Sequence, residues 1–174
     1  MKAMSSDFSE SLQVRRFHDD DAAEVSRLIC RNFMEVNIKD YPREEMVRLA
    51  ESYTAEKVRG IARFAHSYVI DLDGLIVGCG SIASYWGNEK ESILLTIFVL
   101  PEYQGKGIGK MIITTLEQDD FFLRANRIEI PSSITACEFY RKLGYDYKNG
   151  AKALDEEGLY RLEKFRDRKS TRLN

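Results

Sequence analysis

The chain has 174 residues, 44% hydrophobic and 31% charged, with 26 Lys+Arg against 28 Asp+Glu. That length gives one domain with a tail and a core large enough to stand without metals or disulfides. The apolar content excludes global disorder, and a formal net charge of −2 argues against a dedicated nucleic-acid binder. Cys30, Cys79 and Cys137 form no CxxC, and His18 and His66 lie far apart, so neither a disulfide framework nor a metal site is expected. The longest near-unbroken apolar run, residues 93–100, falls short of the ~20 residues that cross a bilayer. No apolar signal segment opens the chain. The expectation is a reduced, cytoplasmic protein with neither membrane nor nucleic acid as a partner.

Residues 13–17 read as a first strand. Asp19, Asp20 and Asp21 then offer N-cap carboxylates to a helix whose apolar stripe is Ala22, Val25, Leu28, Ile29 and Phe33. Pro42 suits the first turn of a second helix, and Thr54 caps a further helical stretch to Ala62. Strand signals follow at 67–71 and 75–81, joined by the hairpin dipeptide Asp73-Gly74. Trp86-Gly87-Asn88 marks the next turn, and 92–99 form a long apolar strand. A helix opens near Gly107 with Ile108, Met111, Ile112, Thr115 and Leu116 on one side. Residues 127–130 make a short strand ending at Pro131. Ser132 or Ser133 caps a helix carrying Ala136, Phe139, Tyr140 and Leu143, stopped by Gly144. Residues 158–165 form the last strand, and 145–147 are a candidate for one more. The main order, β-α-α-β-β-β-α-β-α-β, implies a mixed α/β sheet with helices on both faces. The domain is expected over residues 12–165, with 1–11 and 166–174 as flexible termini.

The chemistry concentrates in residues 97–110, Ile-Phe-Val-Leu-Pro-Glu-Tyr-Gln-Gly-Lys-Gly-Ile-Gly-Lys. A buried strand runs into a glycine-rich turn and then into a helix N-terminus. Such a turn exposes backbone N–H groups and the positive end of the helix dipole, and its glycines admit a close ligand. Lys106 and Lys110 add charge, so the stretch is a phosphate or pyrophosphate cradle. It is not a P-loop, because Met111 follows Lys110 where Ser or Thr is needed. Gly78-Cys79-Gly80 has dinucleotide-like spacing, but no helical stripe follows, and these glycines are read as strand positions beside a close neighbour.

Gln104, Gly107 and Gly109 spell Q-x-x-G-x-G, and Ala136, Phe139, Tyr140, Lys142, Gly144 and Tyr145 spell A-x-x-F-Y-x-K-x-G-Y. In this order and separation the two segments resemble those of the GNAT N-acetyltransferase superfamily, over roughly residues 12–165. The resemblance implies a GNAT-like acyl-CoA N-acyltransferase fold with a mostly antiparallel central sheet. It implies acetyl-CoA as cosubstrate and no metal. It places the backbone of Phe98 and Val99 along the pantetheine arm. Gln104, Gly105, Lys106, Gly107, Ile108, Gly109 and Lys110 fall around the pyrophosphate, and Ser133 beside the pantetheine arm. Tyr140 takes the position of the acid that protonates the departing thiolate. The implied reaction is acetyl transfer to a primary amine, of a small molecule or a peptide, by direct attack in a ternary complex. A homodimer is compatible with the family.

One departure stands out. Many family members carry a glutamate base in the strand before the loop, whereas residues 92–99 hold no carboxylate. Glu91, Glu129 or a water relay would have to serve. That gap motivates a rival, a CoA-binding regulatory or interaction module without catalysis; a domain gripping ATP or NAD and a nucleic-acid module are weaker rivals. Plain alternatives also stand beside the site roles: Ser133 as a helix cap, Tyr140 as core, Lys106 and Lys110 as surface charge. The first helices and the 85–88 turn are expected to shape the acceptor site, with Glu35, Asp40, Tyr41 and Trp86 as candidate contacts.

Overall fold

In a computed structural model, which describes residues 6–166, two tight turns set the middle of the sheet. Asp73 and Gly74 have φ of 49° and 92°, and Trp86 and Gly87 have φ of 49° and 78°. Paired positive φ is the twist that closes a two-residue hairpin. The first turn joins β2 (His66–Leu72) to β3 (Leu75–Tyr85), and the second joins β3 to β4 (Asn88–Val99). The Asp71 carboxylate accepts from the Gly74 N–H at 2.7 Å, locking the first turn. Both turns fall where the sequence places them.

The seven-stranded sheet has the order β1-β2-β3-β4-β5-β7-β6, where β1 is Leu12–Arg16, β5 is Arg127–Ser132, β6 is Asp146–Tyr147 and β7 is Tyr160–Phe165. β4 and β5 run parallel, while β1–β2, β5–β7 and β6–β7 are antiparallel. The mixed, mostly antiparallel sheet matches the sequence reading. The chain divides into two compact units, one holding residues up to Ser81 with Thr96–Glu117, the other Ile82–Leu95 with Gln118 onwards. β3 and β4 each contribute residues to both units.

In the first unit, α1 (Ser6–Ser11), α2 (Ala22–Glu35), α3 (Arg43–Ser52) and α4 (Ala55–Phe64) precede the hairpin, and α5 (Ile108–Leu116) follows the glycine turn. α2 buries the apolar stripe read from the sequence. Thr54 Oγ1 accepts from the Lys57 N–H at 3.2 Å, the cap expected for α4. α5 buries Ile108, Ile112, Ile113 and Leu116 directly against β3. A Cβ at Gly78 would stand 2.9 Å from Ile108, and one at Gly80 would stand 2.4 Å from Ile112. The two glycines are therefore the floor on which α5 lies, as the close-neighbour reading anticipates. α1 is a difference: residues 6–11, expected within a flexible terminus, are helical. The expectation for 1–5 and for 167–174 lies outside the described residues.

In the second unit, α6 (Asp120–Leu123), which periodicity did not announce, is capped by Asp119 accepting from the Phe121 N–H at 2.8 Å. β5 continues through Pro131 to Ser132, two residues past the expected end. Its ladder with β4 covers Glu91↔Arg127 to Ile93↔Glu129, so Pro131, which has no N–H, lies where β4 pairing has already stopped. α7 is Cys137–Lys142, and the short β6 confirms the candidate strand near residue 146.

Gly80→Ala forces the Ile112 contact apart, and overpacking of this kind costs about 1–3 kcal/mol. Thermal unfolding of the variant is expected about 2–12 °C below wild type. An unchanged midpoint would contradict the close β3–α5 packing.

Candidate functional site

The end of β4 is shaped by backbone strain. Thr96 has φ of 50°, a region that a β-branched residue avoids. Two partners on β3 hold it there: the Cys79 thiol donates to the Thr96 carbonyl at 3.3 Å, and Thr96 Oγ1 donates to Ser81 Oγ at 3.1 Å. Ser81 Oγ lies 2.7 Å from Ser67 Oγ, so three hydroxyls run across three strands. They border a cavity of about 20 Å³, also lined by Val69 and Cys79, which is room for one water. Burial pushes the Cys79 thiol up to about 12, against a weaker opposing backbone hydrogen bond near Phe98. It is a structural donor and not a nucleophile.

After β4 the chain makes a 3₁₀ turn over Pro101–Tyr103 and enters the glycine turn. Gly105 and Gly107 have φ of 74° and 85°. Gly107 caps α5, and the first backbone bond of that helix runs from the Met111 N–H to the Gly107 carbonyl at 3.1 Å. Helix geometry therefore leaves the N–H groups of Ile108, Gly109 and Lys110 without an intrahelical acceptor. A Cβ at Gly105 would meet nothing within 4 Å, so space outside the turn is open. The turn has the form of an anion cradle, with Lys106 and Lys110 exposed beside it.

A buried amide fixes this turn to the rest of its unit. Asn32 of α2, 4% exposed, donates to the Val99 carbonyl at 2.9 Å and to Leu28 at 3.0 Å. Its Oδ1 accepts from Gln104 Nε2 at 3.1 Å, and Gln104 also reaches the Val99 carbonyl at 3.3 Å. The Gln104 side chain thus ties the cradle to the strand end, and its backbone is what remains for a ligand. Arg31 adds a surface tie, bridging Glu35 at 2.6 Å and Glu102 at 2.5 Å. The hydrogen bonds from Arg31 hold the Glu35 carboxyl below its usual range, so this acceptor-site candidate is already ion-paired. Phe98 packs edge-on to Phe33 with ring centroids 5.5 Å apart.

Asp40 and Tyr41 follow α2 in the first unit, and the remaining candidates lie in the second. Tyr140 is 5% exposed on α7, and its ring tilts against Phe139 at 5.3 Å. Ser133 Oγ accepts from the Ala136 N–H at 3.1 Å within the turn that leads into α7; the N-cap of that helix is Ala136, so Ser133 stands ahead of the helix and does not cap it. Trp86, at the hairpin tip, is 89% exposed. Glu129 is 1% exposed and bound by Arg127 at 2.5 Å, Lys148 at 2.9 Å and Arg161 at 3.4 Å. Burial works against its ionisation, but hydrogen bonds from Lys148 and Arg127 prevail and hold its carboxyl below the usual range. A carboxylate held by three cations is a poor proton acceptor, which removes Glu129 as the base. Glu91 pairs with Arg127 at 3.4 Å and accepts from Asn88 at 3.2 Å. Among the described residues no three His, Cys, Asp or Glu side chains gather as metal ligands, and no helix is long and apolar enough to cross a membrane.

The sequence profile of the acetyltransferase (GNAT) family matches residues 26–145, more than half of the chain and the whole of the glycine turn. The chain belongs to the GNAT acetyltransferase family. The GNAT fold recurs in solved structures. PaiA N-acetyltransferase from Thermoplasma acidophilum, in complex with coenzyme A, superposes with a TM-score of 0.74 at 17% identity, covering 90% of this chain and 99% of that one. A GCN5-related N-acetyltransferase from Rhodopseudomonas palustris gives 0.69 at 20% identity, covering 90% and 96%. A GNAT family acetyltransferase from Brucella melitensis, in complex with acetyl-CoA, gives 0.59 at 20% identity, covering 78% and 82%. No curated protein matches the sequence.

Sequence reasoning missed Asn32 and the strain at Thr96. A lone Asn on an apolar helix stripe was the available signal for the first; nothing local marks the second.

The Glu129 network sets a pH dependence. A carboxyl lowered in the folded state stabilises it above the ordinary carboxyl range, near 4.5, and that contribution drains as pH falls below it. Glu129→Gln is expected to unfold at lower temperature than wild type at pH 7, with the gap closing toward pH 3. A gap that stays constant with pH would contradict the ion-pair account.

Proposed function

We propose that this GNAT protein transfers the acetyl group of acetyl-CoA to a primary amine of a small molecule or peptide, by direct attack in a ternary complex. The observation that carries the reading is the glycine turn, whose N–H groups have no intrahelical acceptor and which the Gln104 side chain ties to Asn32 and to the Val99 carbonyl at the end of β4. Backbone donors fixed before a ligand arrives bind a diphosphate with little reorganisation. The backbone of Gln104 to Lys110 would hold the pyrophosphate, Lys106 and Lys110 would add charge, and Phe98 and Val99 would flank the thioester. The solved complexes with coenzyme A and acetyl-CoA are of other proteins, and they accord with this choice of cosubstrate.

As the amine attacks, negative charge grows on the thioester oxygen, and a strand N–H is the donor suited to meet it. An amine with a lysine-like pKa of ~10.4 must first lose a proton. With no carboxylate at residues 92–99 and Glu129 held by three cations, Glu91 and a water relay are the routes that remain, and the Thr96–Ser81–Ser67 hydroxyls supply polar partners for a relay. Tyr140 is the acid for the departing thiolate, whose thiol has a pKa of ~8.5. The missing strand carboxylate also favours one other reading, a module that binds CoA without turning it over.

Thiol release from acetyl-CoA across a panel of primary amines separates the two. Turnover is expected with at least one amine, and Tyr140→Phe is expected to lower kcat by about 10²-fold with the KM for acetyl-CoA nearly unchanged. Binding of acetyl-CoA with no turnover by any amine would favour the module. Full activity of Tyr140→Phe would remove the tyrosine as the acid.

A further inference from the structure

α1 does not hang off the first unit; it lies on the glycine turn. The Phe8 ring stacks on Tyr103, with centroids 6.1 Å apart and planes 7° from parallel. The Lys106 ammonium sits over the same ring, 5.4 Å from its centroid. Tyr103 ends the 3₁₀ turn, and Lys106 stands on the other side of Gly105. Phe8 therefore touches both shoulders of the bend made at Gly105, where φ is 74° and no atom within 4 Å would restrain a Cβ.

We propose that Phe8 is a positioning residue of the cofactor site: by bridging Tyr103 and Lys106 it fixes the Gly105 bend and holds the Lys106 charge beside the cradle. The inference rests on the reading of that turn as a pyrophosphate site. Its physical basis is preorganisation. Lys106 is exposed on a long side chain, and an ammonium that must give up its rotamer freedom to meet a phosphate binds more weakly than one already confined. A ring contact confines it without neutralising it, because a cation over an aromatic face keeps its charge and its other N–H donors. The stack on Tyr103 anchors the ring from the opposite side of the glycine. The aromatic face is the operative feature, so an aliphatic residue of similar size should pack but fail to position.

The test is CoA binding by calorimetry to the full chain, in wild type, Phe8→Leu, Phe8→Trp, Lys106→Met and the Phe8→Leu/Lys106→Met double variant. An exposed contact of this class corresponds to about 2–5-fold in the equilibrium it biases. Phe8→Leu is expected to weaken CoA by that factor, Phe8→Trp to bind as wild type, and Phe8→Leu to cost nothing further once Lys106 is Met. Far-UV circular dichroism and melting temperature report whether Phe8→Leu still folds; if it does not, the Phe8→Trp and Lys106→Met arms decide. Wild-type affinity in Phe8→Leu, an equal loss with or without Lys106, or weakened binding in Phe8→Trp would each overturn the role of Phe8. Absence of CoA binding by the wild type would instead overturn the pyrophosphate reading beneath it, and this inference with it.

Discussion

The Asn32 side-chain amide is the point on which the candidate site depends. It is buried and serves three groups: the carbonyl one turn back in α2, the last carbonyl of β4 and the Gln104 side chain. Each lies on a different segment, so one short polar side chain fixes helix, strand end and turn against each other. A buried amide left without these partners would be costly, about 1–3 kcal/mol for each lost donor or acceptor. That penalty is what makes the arrangement specific: few other placements of the turn satisfy Asn32. The same tie gives the Gln104 side chain a structural role in the turn.

Around that pin, packing and strain divide the work. Gly78 and Gly80 let α5 lie directly on β3, which sets the height of the cradle's helix N-terminus. Cys79 and Ser81, on the alternate positions of the same strand, hold the strained Thr96 backbone from beside it. One strand thus alternates between accepting a helix and fixing a bend in its neighbour. A conformation like that of Thr96 costs about 1–3 kcal/mol and persists only where partners over-determine it. In the second unit the solution is electrostatic: Glu129 would be unstable alone in the core, and Arg127, Lys148 and Arg161 turn it into the centre of a charge network.

Much of this was legible in the sequence because its signals are local. Asp73-Gly74, the Thr54 cap and the α2 stripe each act within a few residues, and each formed where it was read. The family motifs were legible for the same reason, since the glycine turn and its helix are contiguous. What was not legible depends on contacts between distant segments. Asn32 meets Gln104 across 72 positions, and its role cannot be seen from either neighbourhood. Thr96 looks like any polar residue in a strand until its neighbours on β3 are known. Glu129 was a reasonable base on paper, and three cations gathered from β5, β7 and the chain after β6 change its chemistry. Residues 6–11 carry little periodicity, so their helix, docked through Phe8, depends on a tertiary contact.

The central claim is that the glycine turn holds the pyrophosphate of CoA. Thermal unfolding with acetyl-CoA, CoA, ATP and NAD in parallel tests it most directly. A ligand at a hundred times its dissociation constant adds ~2.7 kcal/mol, a rise of ~5–11 °C for a chain of this size. The account predicts that rise with acetyl-CoA and CoA and none with ATP or NAD. A cooperative transition that neither acetyl-CoA nor CoA moves at millimolar concentration would contradict it.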